Sequence, residues 1–386
     1  MKRVDLKSPD DLRAASRSED APYSQDPPET CYFIHNGTYF QKDRSLLLYV
    51  FKGGTSANPR VFVGESRTGV VIRGRATTGD SDNPGSRIAN IVFSNMTFDL
   101  SGGLPGYDAN SDAFNTLTLN ANASNVRVDH VTFTGDCRTG LRGAHIETDG
   151  IDGLVVDSTL IENFGHCDHR NGLGHEDHGV YLANGKNITI RNSVVRGNSS
   201  RGIQFYTLSD EGDTLDNVTI ERNRIYANGH ADYEDGIVLN GSGPDTISNV
   251  TVARNLIYKN FYSGVRWAGP ATSAVQVLNN TFYHNGSGSS SADRSEVNVD
   301  DVGTAGPSTV TRNLFSVGVS LINNCNGGAR QGFALKDNLS DQAAPSGSSG
   351  DCVASLVRAD AQLADPENGD FHPRNAQATA YGAYAP

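Results

Sequence analysis

Four of the ten histidines, His166, His169, His175 and His178, fall within 13 residues of one segment, FGHCDHRNGLGHEDHGVYL at 164–182. Asp168, Glu176 and Asp177 stand among them. A second acidic segment, NGHADYEDGIVL at 228–239, carries His230, Asp232, Glu234 and Asp235. Imidazoles and carboxylates at this density suit three kinds of chemistry. A base such as His178 or Tyr181 can take a proton α to a carboxylate, while Arg201 or Arg266 neutralises the charge that develops. Paired carboxyl groups can act as acid and base across a scissile bond, with Glu147, Glu176, Asp177, Asp232, Glu234 and Asp235 as the available acids. A metal could be held instead. The histidine spacing matches no closed zinc pattern and no CxxC is present, so the metal reading is calcium, with Asp168, Glu176 and Asp177 as ligands. No other cofactor is implied. The same loop also reads as a solvated insertion without chemistry.

These side chains need elements to aim them. A short phrase recurs along the chain: NIVFSNMTF at 90–98, NVRVDHVTF at 125–133, GLVVDSTLI at 153–161, NITIRNSVV at 187–195, NVTIERNRI at 217–225, NVTVARNLI at 249–257, AVQVLNNTF at 274–282 and TVTRNLF at 309–315. Taking Asn95, His130, Ser158, Asn192, Asn223, Asn255, Asn280 and Asn313 as equivalent gives steps of 35, 28, 34, 31, 32, 25 and 33. Each copy alternates with period two, which is strand patterning. A second strand follows in most copies: HGVYL at 178–182, RGIQF at 201–205, DGIVL at 235–239 and SGVRW at 263–267, with GAHIE at 143–147 a looser fit. Short strands at a near-constant period predict a parallel β-helix, each coil stacked on the last. The recurring Asn is expected to form a ladder in the turn.

In the second strand, Val180, Ile203, Ile237 and Val265 are expected to point inward. Tyr181, Gln204, Val238 and Arg266 would point outward in a line, with His178, Arg201 and Asp235 just before it and His145 and Glu147 flanking it. Polar groups about 4.8 Å apart, the strand spacing, can address successive units of an extended polymer. The expected catalytic set is His178, Tyr181, Arg201 and Asp235. The expected substrate-binding set is His145, Glu147, Gln204, Tyr206, Arg266, His169, His175 and Asp232.

The recurring N-h-x-h-x-N-x-h and G-h-x-h phrases, together with HNGTYF and the strands after it at 35–74, resemble the right-handed parallel β-helix superfamily, the pectin-lyase-like group of polysaccharide enzymes. The resemblance implies an all-β, single-stranded right-handed parallel β-helix of about eight or more coils, capped at both ends. The expected boundaries are a polar N-terminal segment at 1–30, the β-helix at 31–334, and a C-terminal coil and cap at 335–386. It further implies cleavage of an acidic, uronate-containing polysaccharide by β-elimination. A glycoside hydrolase or transglycosidase using paired Asp and Glu is one alternative, and a non-catalytic glycan-binding surface protein another. The lysine-based catalytic pattern of the lyases is not visible: the repeats hold only Lys186, Lys259 and Lys336, the first two in turns. ETDGID at 147–152 matches part of the first polygalacturonase motif, but the rest does not follow.

Composition sets the remaining bounds. With 44 acidic against 32 basic residues the net charge is −12, which argues against a nucleic-acid partner. No stretch approaches the roughly 18 apolar residues of a membrane span. The N-terminus starts basic but lacks an apolar core, so it is no signal peptide as written. Export to the periplasm or outside the cell is nevertheless the expectation, and the oligomeric state is left open. Cys137 and Cys167 are 30 residues apart, and Cys325 and Cys352 are 27 apart, about one coil each. Each pair is either a disulfide between adjacent coils or two buried thiols.

Overall fold

The computed structural model describes residues 1–15, 29–41, 46–78, 88–102, 113–120, 123–136, 142–165, 176–207, 212–241, 243–302, 307–323, 333–343 and 353–385. His166, Asp168, His169, His175 and both cysteine pairs lie outside the described residues. The chain divides into two compact units, residues 1–194 and 195–386.

In the first unit a coil is three parallel strands in series. Ala123–Asp129, Thr132–Thr134 and Arg142–Thr148 make one coil, and Ile151–Asp157, Leu160–Glu162 and His178–Leu182 make the next. Stacking pairs Val126 with Leu154, Phe133 with Ile161 and Ile146 with Val180. The period-two alternation buries these side chains completely or nearly so. Like residues then stack coil upon coil, as Phe62 does on Phe93 with ring centroids 5.6 Å apart and Phe98 on Phe133 at 5.2 Å. The β-helix begins earlier than residue 31, because Lys2–Leu6 already pairs in parallel with Thr30–Ile34. A short helix, Pro9–Ala15, follows that strand and buries Leu12 and Ala15. Its start is a reciprocal cap: Asp11 accepts from the Lys7 and Ser8 amides, and the Ser8 hydroxyl accepts from the Asp11 amide.

The second unit repeats the plan. Thr214–Glu221, Arg224–Tyr226 and Ile237–Asn240 make one coil, and Thr246–Ala253, Leu256–Tyr258 and Ser263–Gly269 the next. Two ladders of buried asparagines run through it. Asn223, Asn255, Asn280, Asn313 and Asn338 form one, each backbone amide donating to the next side-chain oxygen at 2.8 Å. Asn198, Asn228, Asn260 and Asn285 form the other, which ends on the carboxylate of Glu296.

The register expected for the ladder is corrected here. Asn95, His130, Ser158 and Asn192 occupy a left-handed corner, φ 58°, 53°, 52° and 51°. In the second unit that corner falls to Arg222, Arg254, Asn279 and Arg312, and the buried asparagine comes one residue later. The matching buried residues of the first unit are Met96, Val131, Thr159 and Ser193. His130 is therefore an exposed corner residue beside Asp129, not a rung of a ladder.

The C-terminal segment does not merely close an end. Coil strands continue through Val357–Arg358, and the chain then returns along the side of the short strands. Phe371 packs on Tyr258 at 4.7 Å, Glu367 accepts from Tyr283 and pairs with Lys259, and the Ala383 amide donates to Thr281.

Candidate functional site

The third strand of each coil presents the face where the sequence points to chemistry. In the first unit its outward row is Thr77, Thr118, Glu147 and Tyr181, in register on successive strands. Glu147 is the notable member. It is half-buried, the Asn115 amide donates to its Oε2, and Asn115 is fixed by accepting from the Ala144 amide at 2.9 Å. Burial pushes the Glu147 carboxyl up to about 7, the negative charge of Asp149 adds to the rise, and Arg75 opposes it. Asp149 is exposed and follows the strand directly, its amide donating to the Leu119 carbonyl. His178 and Tyr181 stack with ring centroids 5.7 Å apart and planes at 12°. His178 is nearly buried while Tyr181 remains partly open.

His145 leaves the row. It is fully buried, accepting from or donating to Thr116 Oγ1 at 3.0 Å and donating through Nε2 to the Glu162 carbonyl at 2.8 Å. Its ring packs edge-on to Phe164, and burial drives its pKa down to about 3. The expected substrate contact is thus a neutral core histidine. The matching position on other coils is the recurring glycine. At Gly202 and Gly236 a Cβ would come within 2.8 and 2.7 Å of the Asn228 and Asn260 amides, so the close approach of the ladder excludes a side chain there. Period-two counting sends this position outward, which is why the sequence misplaced His145.

In the second unit the row is Gln204, Val238, Arg266, Asn298 and Asn323. The first four are buried, so this row is not the open line that alternation predicts. Gln204 accepts from Arg201 at 3.1 Å. Arg266 donates to Asp235 at 2.7 Å, to Asp300 at 3.1 Å and to the Tyr233 carbonyl at 3.2 Å. Asp235 is itself fully buried. Arg266 and Asp235 therefore neutralise each other, and neither offers a free charge to a ligand. Asp232 accepts from Ser289 and is a loop tie, while Tyr206 sits half-open at a strand end opposite Asn240. Glu234 accepts from the His230 and Ala231 amides. Burial raises its carboxyl to about 8, against the pull of those amides and of Arg201.

For a metal, Glu176 is exposed and Asp177 fully buried, and no group of three or more His, Cys, Asp or Glu among the described residues could hold an ion. No helix among the described residues is long and apolar enough to cross a membrane. Two residues of the Glu147 cluster went unnoticed in the sequence, Asn115 and Asp149. The second was visible in ETDGID; the first carries no local signal.

Stacked parallel coils with a polar outward row define a parallel β-helix protein. The chain belongs to the right handed beta helix region family, whose model matches residues 66–265 and 177–329. No curated protein sequence matches it. Among solved structures it is similar to ORF18 of Geobacillus virus E2, at 12% identity and a TM-score of 0.54, covering 86% of this chain and 57% of that one. It is also similar to the tailspike protein of E. coli bacteriophage HK620, at 15% identity and a TM-score of 0.52, covering 81% and 54%. The pectate lyase Pel9A gives 14% identity and a TM-score of 0.48, with 95% and 79% covered. The chain thus spans little more than half the length of the two viral proteins, and at 12% and 15% identity the likeness to them is one of fold.

Proposed function

We propose that this protein cleaves glycosidic bonds of a polysaccharide laid along the row of Thr118, Glu147 and Tyr181, by hydrolysis, with Glu147 as the general acid. The observation that carries the reading is a carboxyl raised to about 7 on a surface row, with a second carboxyl, Asp149, close enough to contribute to the shift. Asp149 follows directly on the strand Arg142–Thr148 that carries Glu147. Glycoside hydrolysis uses two carboxyl groups at the scissile bond, one as acid and one as base or nucleophile. Glu147 gives its proton to the departing glycosidic oxygen, and Asp149 activates water or attacks the anomeric carbon. An extracellular or periplasmic setting goes with this activity.

A second reading is β-elimination from a uronate polymer. It is favoured by Tyr181, in register beside Glu147 and stacked on His178. Tyr181 would take the proton α to the carboxylate and Glu147 would protonate the leaving oxygen. Against it, Arg266, one of the two arginines expected to neutralise a uronate, is already held by Asp235. Incubation with neutral glucans, pectate, alginate and glycosaminoglycans, with and without EDTA, tests both. Hydrolysis gives reducing ends without an ultraviolet-absorbing unsaturated product, and Glu147→Gln abolishes them. Turnover unaffected by Glu147→Gln and Asp149→Asn rules out this site.

A further inference from the structure

Tyr233 stands where an aromatic residue is poorly accommodated. Its φ is +69°, and among the described non-glycine residues with positive φ it is the one Tyr, Phe or Trp. Most of the others are corner residues of the repeat, many of them asparagines, which tolerate that conformation. A bulky side chain held there is strained, and such strain persists where surrounding structure fixes it. Here the fixing contacts are plain. The Tyr233 carbonyl accepts from Arg266, the Glu234 carboxyl holds the His230 and Ala231 amides, and Asp232 accepts from Ser289.

The ring gains little burial in return. It stays 51% exposed, with Tyr262 at 5.1 Å and the Arg266 guanidinium 5.4 Å from its centroid. It therefore rests on a rigid base of one buried tyrosine and one paired arginine and leaves the remainder of its surface to solvent. Met1 and Tyr384 are the other large hydrophobic side chains exposed among the described residues. The arginine beside it is held by two carboxylates, Asp235 and Asp300, and the Asp300 side chain is 30% exposed. An isolated aromatic ring beside hydroxyl acceptors suits a sugar, whose C–H face packs on the ring while its hydroxyls find the carboxylates. A protein partner would want a larger apolar area.

We propose that Tyr233 is the stacking platform of a glycan subsite in residues 195–386, and that this subsite takes an uncharged hexose. The proposal rests on the reading of the chain as a glycan-active protein. It adds the charge class of the ligand: the nearby cation is already bound by Asp235 and Asp300, so a uronate would meet carboxylates without a free partner.

Calorimetric titration of a Glu147→Gln chain with gluco-, manno- and galacto-hexaoses, and with hexagalacturonate, tests it. Tyr233→Ala should weaken binding of a neutral hexaose about tenfold, and Tyr233→Phe should preserve it. Tyr233→Gly should bind as weakly as the alanine variant yet melt no lower than the parent, because glycine relieves the positive φ. Neutral hexaoses bound equally well by parent and Tyr233→Ala overturn the subsite alone. Tighter binding of hexagalacturonate than of every neutral hexaose overturns its charge preference. A parent chain that binds none of these sugars overturns the glycan reading together with the subsite.

Discussion

A carboxyl that titrates near neutrality can serve as acid in one step and base in the next, which an ordinary glutamate cannot do at pH 7. Glu147 reaches that range first through burial and then through the charge of Asp149. The protonated form is the competent one for leaving-group protonation, so the rate should fall as pH rises through about 7. Removing the acid in Glu147→Gln should lower kcat by about 10²–10⁴-fold and erase that alkaline limb. Asp149→Asn removes a like charge, so besides lowering kcat it should move the limb of any residual activity to lower pH. Tyr181→Phe distinguishes the chemistry: under hydrolysis kcat changes by a few-fold at most, whereas elimination with a tyrosine base loses most of it. A pH–rate profile of the three variants reads all of these.

At the scale of the element, the repeat was legible and its corner was not. The alternation of Val126 and Val128, or Ile188 and Ile190, gave strand, face and period correctly, because burial on a pleated sheet leaves a period-two trace. The asparagines gave no such guide, since they do two jobs. Asn95 and Asn192 take the left-handed corner, while Asn223 and Asn255 sit one place later and bond to the next coil. Side-chain type is the same in both jobs, so sequence spacing slid by one residue between Asn192 and Asn223. Likewise His145 breaks the outward alternation for a reason that lies elsewhere in the chain, at Thr116 and Phe164. The energetic difference between the two jobs is testable. Asn260 accepts from Asn228 and donates to Asn285 and to the Ile225 carbonyl, all out of solvent. Asn260→Ala strands these groups and should cost about 2–4 kcal/mol. Asn125 is exposed at φ 51° with one long bond to Asn90 at 3.4 Å. Asn125→Gly keeps this left-handed position within the strand Ala123–Asp129 accessible and should fall within about 0.5 kcal/mol of the parent. Urea unfolding of the two variants makes the comparison.

For the molecule as a whole, the buried acids set an unusual dependence of stability on pH. Glu234 and Glu296 are both raised to about 8, chiefly by burial, and Glu296 is so even though Asn285 and Gly318 donate to it. A carboxyl with a raised folded pKa binds more protons in the folded state than in the unfolded one. Its contribution is complete below about 4.5 and is lost as pH climbs toward about 8. Asp157 works in the opposite sense. Burial would raise it, but donation from Asn192 and Arg191 prevails and holds it at about 2. Its contribution is present above about 3.8 and is lost as pH falls toward about 2. The two effects overlap favourably only between about pH 4 and 5, below the range of roughly 5 to 8 where most proteins are most stable. Buried His145, held at about 3, gains stability for the fold as pH rises toward 6.5 and offsets part of the glutamates' loss, so the melting temperature should fall most clearly between about pH 6.5 and 8. Combining Glu234→Gln with Glu296→Gln should flatten the decline, since amides cannot deprotonate, and Asp157→Asn should lower the whole curve above about pH 4. A melting temperature that instead rises between pH 6.5 and 8, above the window of His145, would mean that these two glutamates are ionised in the folded chain and that their amide donors outweigh burial.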